Sequence, residues 1–246
     1  MTRFLLLSSR AEDVAAAGEH AAFLRFGGLR ADELEQVRME AASFLPVDLD
    51  RYDGVIVGGS PYDASKPEDE KSPAQRRVEA EVSTLLDEIV DRDLPFLGAC
   101  YGVGTLGVHQ GAVIDGTFAE PIGAVTVTLT DEGRADPLLA ALPASFDAFV
   151  GHKEACRVLP PDAVLLASSA TCPVQMFRVR QNLYATQFHP ELDLAGIVTR
   201  IGVYRDYGYY RPGEYDDVVA RVRAADVWAP PLILDAFVRR YGRESG

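Results

Sequence analysis

The sequence predicts an α/β sandwich with a partly parallel sheet and helices on both faces. Three observations carry this. Short apolar runs closed by turn residues stand at Arg3 to Ser9, Asp53 to Gly59 and Leu94 to Ala99, and read as buried parallel strands. A long amphipathic helix lies between the last two of them. The second half holds alternating strands and then returns to helical spacing.

Taken in order, Arg3 to Ser9 is the first strand and the Ala-rich stretch Glu12 to Phe26 is helical by propensity, while Ala41 to Arg51 is too irregular to assign. Asp53 to Gly59 is the second strand. A polar loop, Tyr62 to Lys71, precedes a helix start marked by Ser72, by Pro73 at the first helical position and by Gln75 at the capping-box position. That helix should run to about Asp91, with Val78, Val82, Leu85, Leu86, Ile89 and Val90 on one face. Leu94 to Ala99 then runs straight into Cys100-Tyr101-Gly102 and a glycine-interrupted apolar segment ending at Gly111, which reads as strand, tight turn and helix. Further strands are expected at Ile122 to Leu129, Ala148 to Val150, Ala163 to Ser168, Val174 to Val179 and Leu183 to Phe188, in a more antiparallel half. Helical spacing returns at Leu194, Ile197, Val198, Ile201 and Tyr204, then over Tyr215 to Ala225 and Pro231 to Tyr241. The expectation is one domain over residues 1–246, with a helical C-terminal extension over about 192–246.

The composition, 48% apolar and 25% charged over 246 residues, suits a packed globular chain. Lys and Arg number 24 against 37 Asp and Glu, and the net charge of −13 would repel phosphate backbones and anionic membranes, so neither nucleic acid nor membrane is an expected partner. Phe4 to Leu7 is too short for a signal-peptide core or a membrane span, and the expected location is cytoplasmic. Cys100, Cys156 and Cys172 are odd in number and lack a C-x-x-C pair, which suggests neither a disulfide framework nor a zinc site.

Three segments could carry chemistry. Cys100 follows a strand, has Gly98 two before and Gly102 two after, and opens a helix; this is the layout of a nucleophile elbow, where small flanking residues let the side chain project and the helix N-terminus adds positive potential. A thiol there should ionise easily; the plain alternative is a small Cys packed at a strand end. His189 and Glu191 flank Pro190 in an extended stretch, so they face the same way and suit a carboxylate-oriented imidazole, although a surface loop would read the same. Gly58-Gly59-Ser60-Pro61 after a strand permits positive φ and close backbone approach, so that an N–H there could meet an oxyanion.

Together, in this order, the segments resemble a class I glutamine amidotransferase domain, the triad glutaminase. Pro95-Phe96-Leu97-Gly98-Ala99-Cys100-Tyr101-Gly102 is similar to the family's nucleophile signature and Gln187-Phe188-His189-Pro190-Glu191 to its His/Glu signature, while Gly151-His152, Leu159-Pro160 and Cys172-Pro173-Val174-Gln175 resemble stand-alone, GMP-synthase-glutaminase-like members. The resemblance implies a three-layer α/β sandwich around a mostly parallel mixed sheet, the flavodoxin-like fold of that family. It also implies hydrolysis of a glutamine side-chain amide through a Cys thioester. Cys100 would be the nucleophile, His189 the acid and base, and Glu191 its orienting partner. The Gly59 and Tyr101 N–H groups would be oxyanion donors, and Gly58 and Gly104 would border the substrate. The step needs no metal or organic cofactor. The ammonia would pass to an acceptor on a separate synthetase subunit, since no nucleotide loop or pyrophosphatase-like segment is recognisable.

One departure bears on substrate. The family pattern continues G-x-Q after the nucleophile, whereas here Gly102-Val103-Gly104 puts a glycine in that place. This leaves a γ-glutamyl hydrolase acting on another γ-glutamyl amide as one alternative, and a catalytically silent binding or regulatory protein as another. His20 and His109 read as surface and helix-end residues, His152 as a loop histidine satisfied by backbone, Cys156 and Cys172 as packing, and Tyr204, Tyr207, Tyr209 and Tyr210 as an aromatic layer under the C-terminal helices, with a pocket cover as the other possibility.

Overall fold

The computed structural model describes residues 2–243. In chain order the first half comprises β1 (Phe4–Ser8), α1 (Asp13–Gly27), β2 (Leu34–Arg38), β3 (Gly54–Val57), α2 (Pro73–Arg92), β4 (Phe96–Ala99) and α3 (Tyr101–His109). Next come β5 (Val113–Asp115), β6 (Glu120–Leu129), α4 (Asp131–Ala135), β7 (Ser145–His152), β8 (Ala155–Val158), β9 (Val164–Ser169), β10 (Met176–Val179) and β11 (Leu183–Thr186). Helices α5 (Leu194–Val203), α6 (Tyr215–Ala224) and α7 (Pro231–Tyr241) end the chain.

Nine strands form one sheet in the order β2-β1-β3-β4-β11-β10-β9-β6-β7. The first five pair in parallel, and from β11 onward the pairing is antiparallel. Side chains of β1 alternate between two cores, as strand geometry dictates. Phe4 and Leu6 pack with Phe23 of α1 and with Ile233 and Phe237 of α7, while Leu5 and Leu7 pack with Val78, Val82, Leu85 and Ile89 of α2 and Leu106 of α3. Helices thus cover both faces. A third cluster joins Ile197 and Ile201 of α5 and Val218 and Val222 of α6 to Ile122 and Phe149 of the antiparallel half.

The strand register brings three loops together. Val57 pairs with Gly98, and Thr186 with Ala99, so the C-terminal ends of β3, β4 and β11 lie level and their exit loops share one edge of the sheet. On α2 the Ser72 Oγ accepts the Gln75 N–H at 3.1 Å. The Gln75 amide does not return to Ser72; it donates to the Asp63 carbonyl and to Glu79, and so ties the polar loop to the helix.

Candidate active site

β4 ends at Ala99 and α3 begins at Tyr101, so Cys100 alone makes the turn, at φ 55° and ψ −84°. A non-glycine residue pays ~1–3 kcal/mol for such a backbone and keeps it only when its surroundings fix it. Here the Cys100 N–H donates to the Thr186 carbonyl at 2.7 Å, which ties the elbow to β11. A Cβ on Gly98 would stand 2.6 Å from the Gly102 Cα, so strand and helix can cross this closely only with glycine at 98.

His189 leaves β11 with its N–H on the Phe149 carbonyl of β7 at 3.0 Å, and its ring Nδ1 meets Glu191 Oε1 at 2.8 Å. A carboxylate only accepts, so Nδ1 carries the hydrogen and Nε2 is left with its lone pair. Glu191 is fully buried. Two small cavities meet at Cys100, Ser60, Gly151 and Tyr209. His189 and Arg10 line one, together with apolar Ile122, Val150 and Ile197. Tyr101, Gly104, Gln187, His152 and Glu154 line the other. They are half-open clefts of about 30 and 20 Å³, each with room for at least one water. Tyr209 is the cover common to both.

Burial pushes the Cys100 thiol up to about 12, against the pull of Arg10. Burial likewise holds the His189 ring below its ordinary value, against Glu191. The resting pair is therefore neutral thiol and neutral imidazole. The expectation of an easily ionised thiol does not hold here, where desolvation outweighs the attraction of Arg10. Glu191 behaves oppositely: although burial raises it, the His189 ring and Arg200 hold its carboxyl down to about 2.

Gly58 and Gly59 owe their identity to neighbours and not to backbone sign, because neither adopts positive φ. A Cβ on Gly58 would meet Glu19 Oε2 at 2.6 Å, and one on Gly59 would meet Arg10 Nη2 and His189 Cε1 at 2.7 Å each. Neither glycine lines the two cavities, whereas Ser60 beside them lines both. Gly104 lines the second cavity, and a Cβ there would lie 3.0 Å from both Ala64 Cβ and Glu154 Oε1. The Glu154 carboxylate accepts the Ala64 and Ser65 N–H groups at 2.7 and 2.6 Å.

A family model for class I glutamine amidotransferases matches residues 30–196, well over half of the chain. The chain belongs to the class I glutamine amidotransferase family. Among relatives, a glutamine-hydrolysing GMP synthase subunit of Thermoplasma volcanium is 30% identical over 146 residues, which cover 59% of this chain and 65% of that protein, just under two thirds of its length. A glutamine amidotransferase from Thermotoga maritima has the same fold, with a TM-score of 0.75 at 21% identity over 98% of this chain and 99% of that one. A structure described as that of a GMP synthase subunit, from Thermoplasma acidophilum, superimposes with a TM-score of 0.60 at 24% identity, over 84% of this chain and 97% of that one.

Several residues around the cavities escaped the sequence reading. Arg10, Glu19 and Arg200 are charged and buried. For Glu19 and Arg200 the signal was available as charges interrupting apolar stretches of α1 and α5. Glu154 had no local pattern to mark it. His152 is buried at the end of β7 and bonded to the Glu154 carbonyl and to Glu120 Oε2, at 2.9 and 2.8 Å, so a side chain shares in satisfying it. His109 pairs with Asp87 at 2.9 Å, and His20 meets the Leu34 carbonyl at 3.2 Å. Cys156 and Cys172 are buried. The tyrosines do both things considered for them: Tyr204 contacts Tyr207 and Tyr209 at ring-centroid distances of 5.0 and 6.2 Å, and Tyr204 and Tyr209 line the Cys100 cavity. Among the described residues no cluster of three or more His, Cys, Asp or Glu could hold a metal, and no helix is long and apolar enough to cross a membrane.

Proposed function

We propose that the chain hydrolyses the side-chain amide of glutamine through a thioester on Cys100, and passes the ammonia to an acceptor on a separate synthetase subunit. One observation carries this reading: the residue at the strained elbow is a cysteine, and the cavity it faces is also lined by a histidine whose other nitrogen is held by a buried carboxylate. In the proposed reaction Cys100 Sγ attacks the amide carbon as its proton moves to His189 Nε2. The tetrahedral intermediate collapses, the C–N bond breaks, and His189 returns the proton to the departing nitrogen. Water then adds to the thioester, giving its proton to His189, and glutamate leaves as Sγ is reprotonated. The N–H of Tyr101, at a helix start where no turn precedes it to accept, and that of Gly59 are the proposed oxyanion donors. Because His189 lines only the Arg10 cavity, the departing ammonia belongs there and the glutamyl chain in the Glu154 cavity.

A second reading is supported by Gly104. A Cβ at 104 would stand 3.0 Å from Ala64 Cβ and Glu154 Oε1, so a glutamine side chain there would crowd both. The half-buried Glu154 carboxylate stands there instead and suits a substrate ammonium group, so γ-glutamyl amides other than glutamine are alternative substrates. Ammonia release from L-glutamine, beside Cys100→Ala and a panel of γ-glutamyl amides, separates these. Turnover of glutamine lost in the variant supports the glutaminase; turnover of another amide alone supports the second reading; turnover unchanged in Cys100→Ala overturns both.

A further inference from the structure

Behind His189 lie four charged side chains that the proposed reaction leaves unused or explains only in part. Arg10 follows β1, Glu19 lies in α1, Glu191 follows β11 and Arg200 lies in α5, and all four are at most 6% exposed. Glu19 joins the two arginines: its Oε1 accepts Arg10 Nε at 2.7 Å and Arg200 Nη2 at 3.3 Å, and its Oε2 accepts Ser8 Oγ at 2.7 Å. Arg200 Nη2 also reaches Glu191 Oε1, at 3.2 Å, the same oxygen that holds the His189 ring. Arg10 points the other way. Its Nη1 donates to the Tyr204 hydroxyl at 2.9 Å, and its Nη2 sits beside Gly59 and the His189 ring, on the cavity that Cys100 lines.

Four buried charges are a poor stability device, since apolar side chains of the same volume often do as well or better. What they do well is fix geometry and potential. The formal charges cancel while His189 is neutral. When Cys100 gives its proton to His189, Glu191 favours the imidazolium but opposes the thiolate, and a cation on the Cys100 side must compensate.

We propose that Arg10 and Arg200, joined through Glu19, form a positioning network for the Cys100, His189 and Glu191 triad, in which Arg200 fixes the Glu191 carboxylate and Arg10 supplies the positive potential that favours the Cys100 thiolate. The proposal rests on the triad reading above. The groups facing Cys100 and His189 from the packed elements are Arg10, Glu191, Arg200, Tyr204 and Tyr209 on one side and Tyr62, Asp63, Tyr101, His152, Lys153 and Glu154 on the other. Arg10 heads the charges that pull the thiol downward.

The test is the pH dependence of Cys100 alkylation by iodoacetamide, read by peptide mass spectrometry on the full chain, with thermal melts and ammonia release alongside. Arg10→Gln should slow alkylation at pH 8 by at least tenfold and displace the profile toward alkaline pH, and Arg10→Lys should recover most of the rate. Should the single variant not fold, the paired Arg10→Gln with Glu19→Gln removes one charge of each sign, keeps the interior neutral, and should show a smaller displacement in the same direction, because Arg10 is the nearer of the two to Cys100. Arg200→Gln should lower kcat while leaving KM within twofold. A folded paired variant whose alkylation profile superimposes on the unchanged chain overturns the proposal. Alkylation needs no turnover, so a chain that releases no ammonia but shows the displacement fails as a glutaminase and keeps the network, while normal turnover with an unmoved profile does the reverse.

Discussion

Replacing Glu191 by Gln keeps the shape and removes one charge from a site where three other ionised groups are buried. Its cost can be worked in two ways. Holding a carboxyl at about 2 instead of its ordinary 4.5 corresponds to about 3 kcal/mol at neutral pH, each pKa unit being ~1.4 kcal/mol. Removing one partner of a buried ion pair typically costs ~3–5 kcal/mol, because the other charge stays behind unpaired, and here Arg200 would be left with Glu19 alone. The two routes agree, so Glu191→Gln should lose about 3 kcal/mol at pH 7 and melt about 6–12 °C lower, at ~2–4 °C per kcal/mol for a chain of this size. The sign with pH follows from linkage. A depressed carboxyl contributes stability above its unfolded pKa and loses it as pH falls toward the folded one, so the gap between the two proteins should be full at pH 7 and close progressively from about pH 5 toward pH 2. Urea titrations across that range measure it. A gap under ~1 kcal/mol at pH 7, or two stability curves that stay parallel to acid pH, would refute the reasoning. If the triad reading is right, kcat should also fall by roughly 10³–10⁴, as expected when the orienting carboxylate of a triad is made neutral.

Three further outcomes are expected. Gly104→Gln should not improve glutamine use, because its Cβ meets Glu154 and Ala64 at 3.0 Å; coupling with Glu154→Ala in a double-mutant cycle of kcat/KM should reach ~0.5–3 kcal/mol, and additivity would show that the two do not share the space. Tyr209→Ala should uncover Cys100 and speed its alkylation by roughly tenfold or more, since opening the cavity admits reagent and eases desolvation of the thiolate, with Cys156 and Cys172 still protected in native mass spectrometry. Gly133→Ala, far from the cavities, would put a Cβ 2.0 Å from the Leu166 carbonyl oxygen and should cost upward of ~2 kcal/mol in urea unfolding while leaving Cys100 alkylation unchanged.

Much of the parallel half was legible because buried strands and amphipathic helices write their period directly. β1, β3, β4 and α2 fall within one or two residues of their expected spans. β2 was missed because Leu34-Glu35-Gln36-Val37-Arg38 is an edge strand, mostly half-buried, with charged residues that a strand prefers only where one side is open. The β5 and β8 pair was missed for a related reason: Val113 and Val158 are exposed, so no alternation betrays it. At the cavities, Cys100 and the His189–Glu191 pair were visible because turn chemistry and two-residue spacing are local. Glu19 reaches Gly58 and Arg200 reaches Glu191 across 39 and 9 positions respectively, and no local rule links such residues. For the same reason the two glycines before Ser60 suggested a left-handed turn, when what excludes a side chain is the packed carboxylate and guanidinium beside them.

The neutral resting pair gives the charge network its significance. Moving the proton from a thiol raised by burial to an imidazole held below its ordinary value is uphill, so forming the nucleophile adds to the barrier of the proposed reaction. In the proposed reaction, thiolate population supplied by Arg10 would then raise the rate, unlike an interaction that binds ground state and transition state equally. This argues against reading Arg10, Glu19 and Arg200 as structural ballast: apolar side chains of the same volume often serve an interior as well, and the return proposed for them lies in the proton transfer that desolvation of the thiolate opposes.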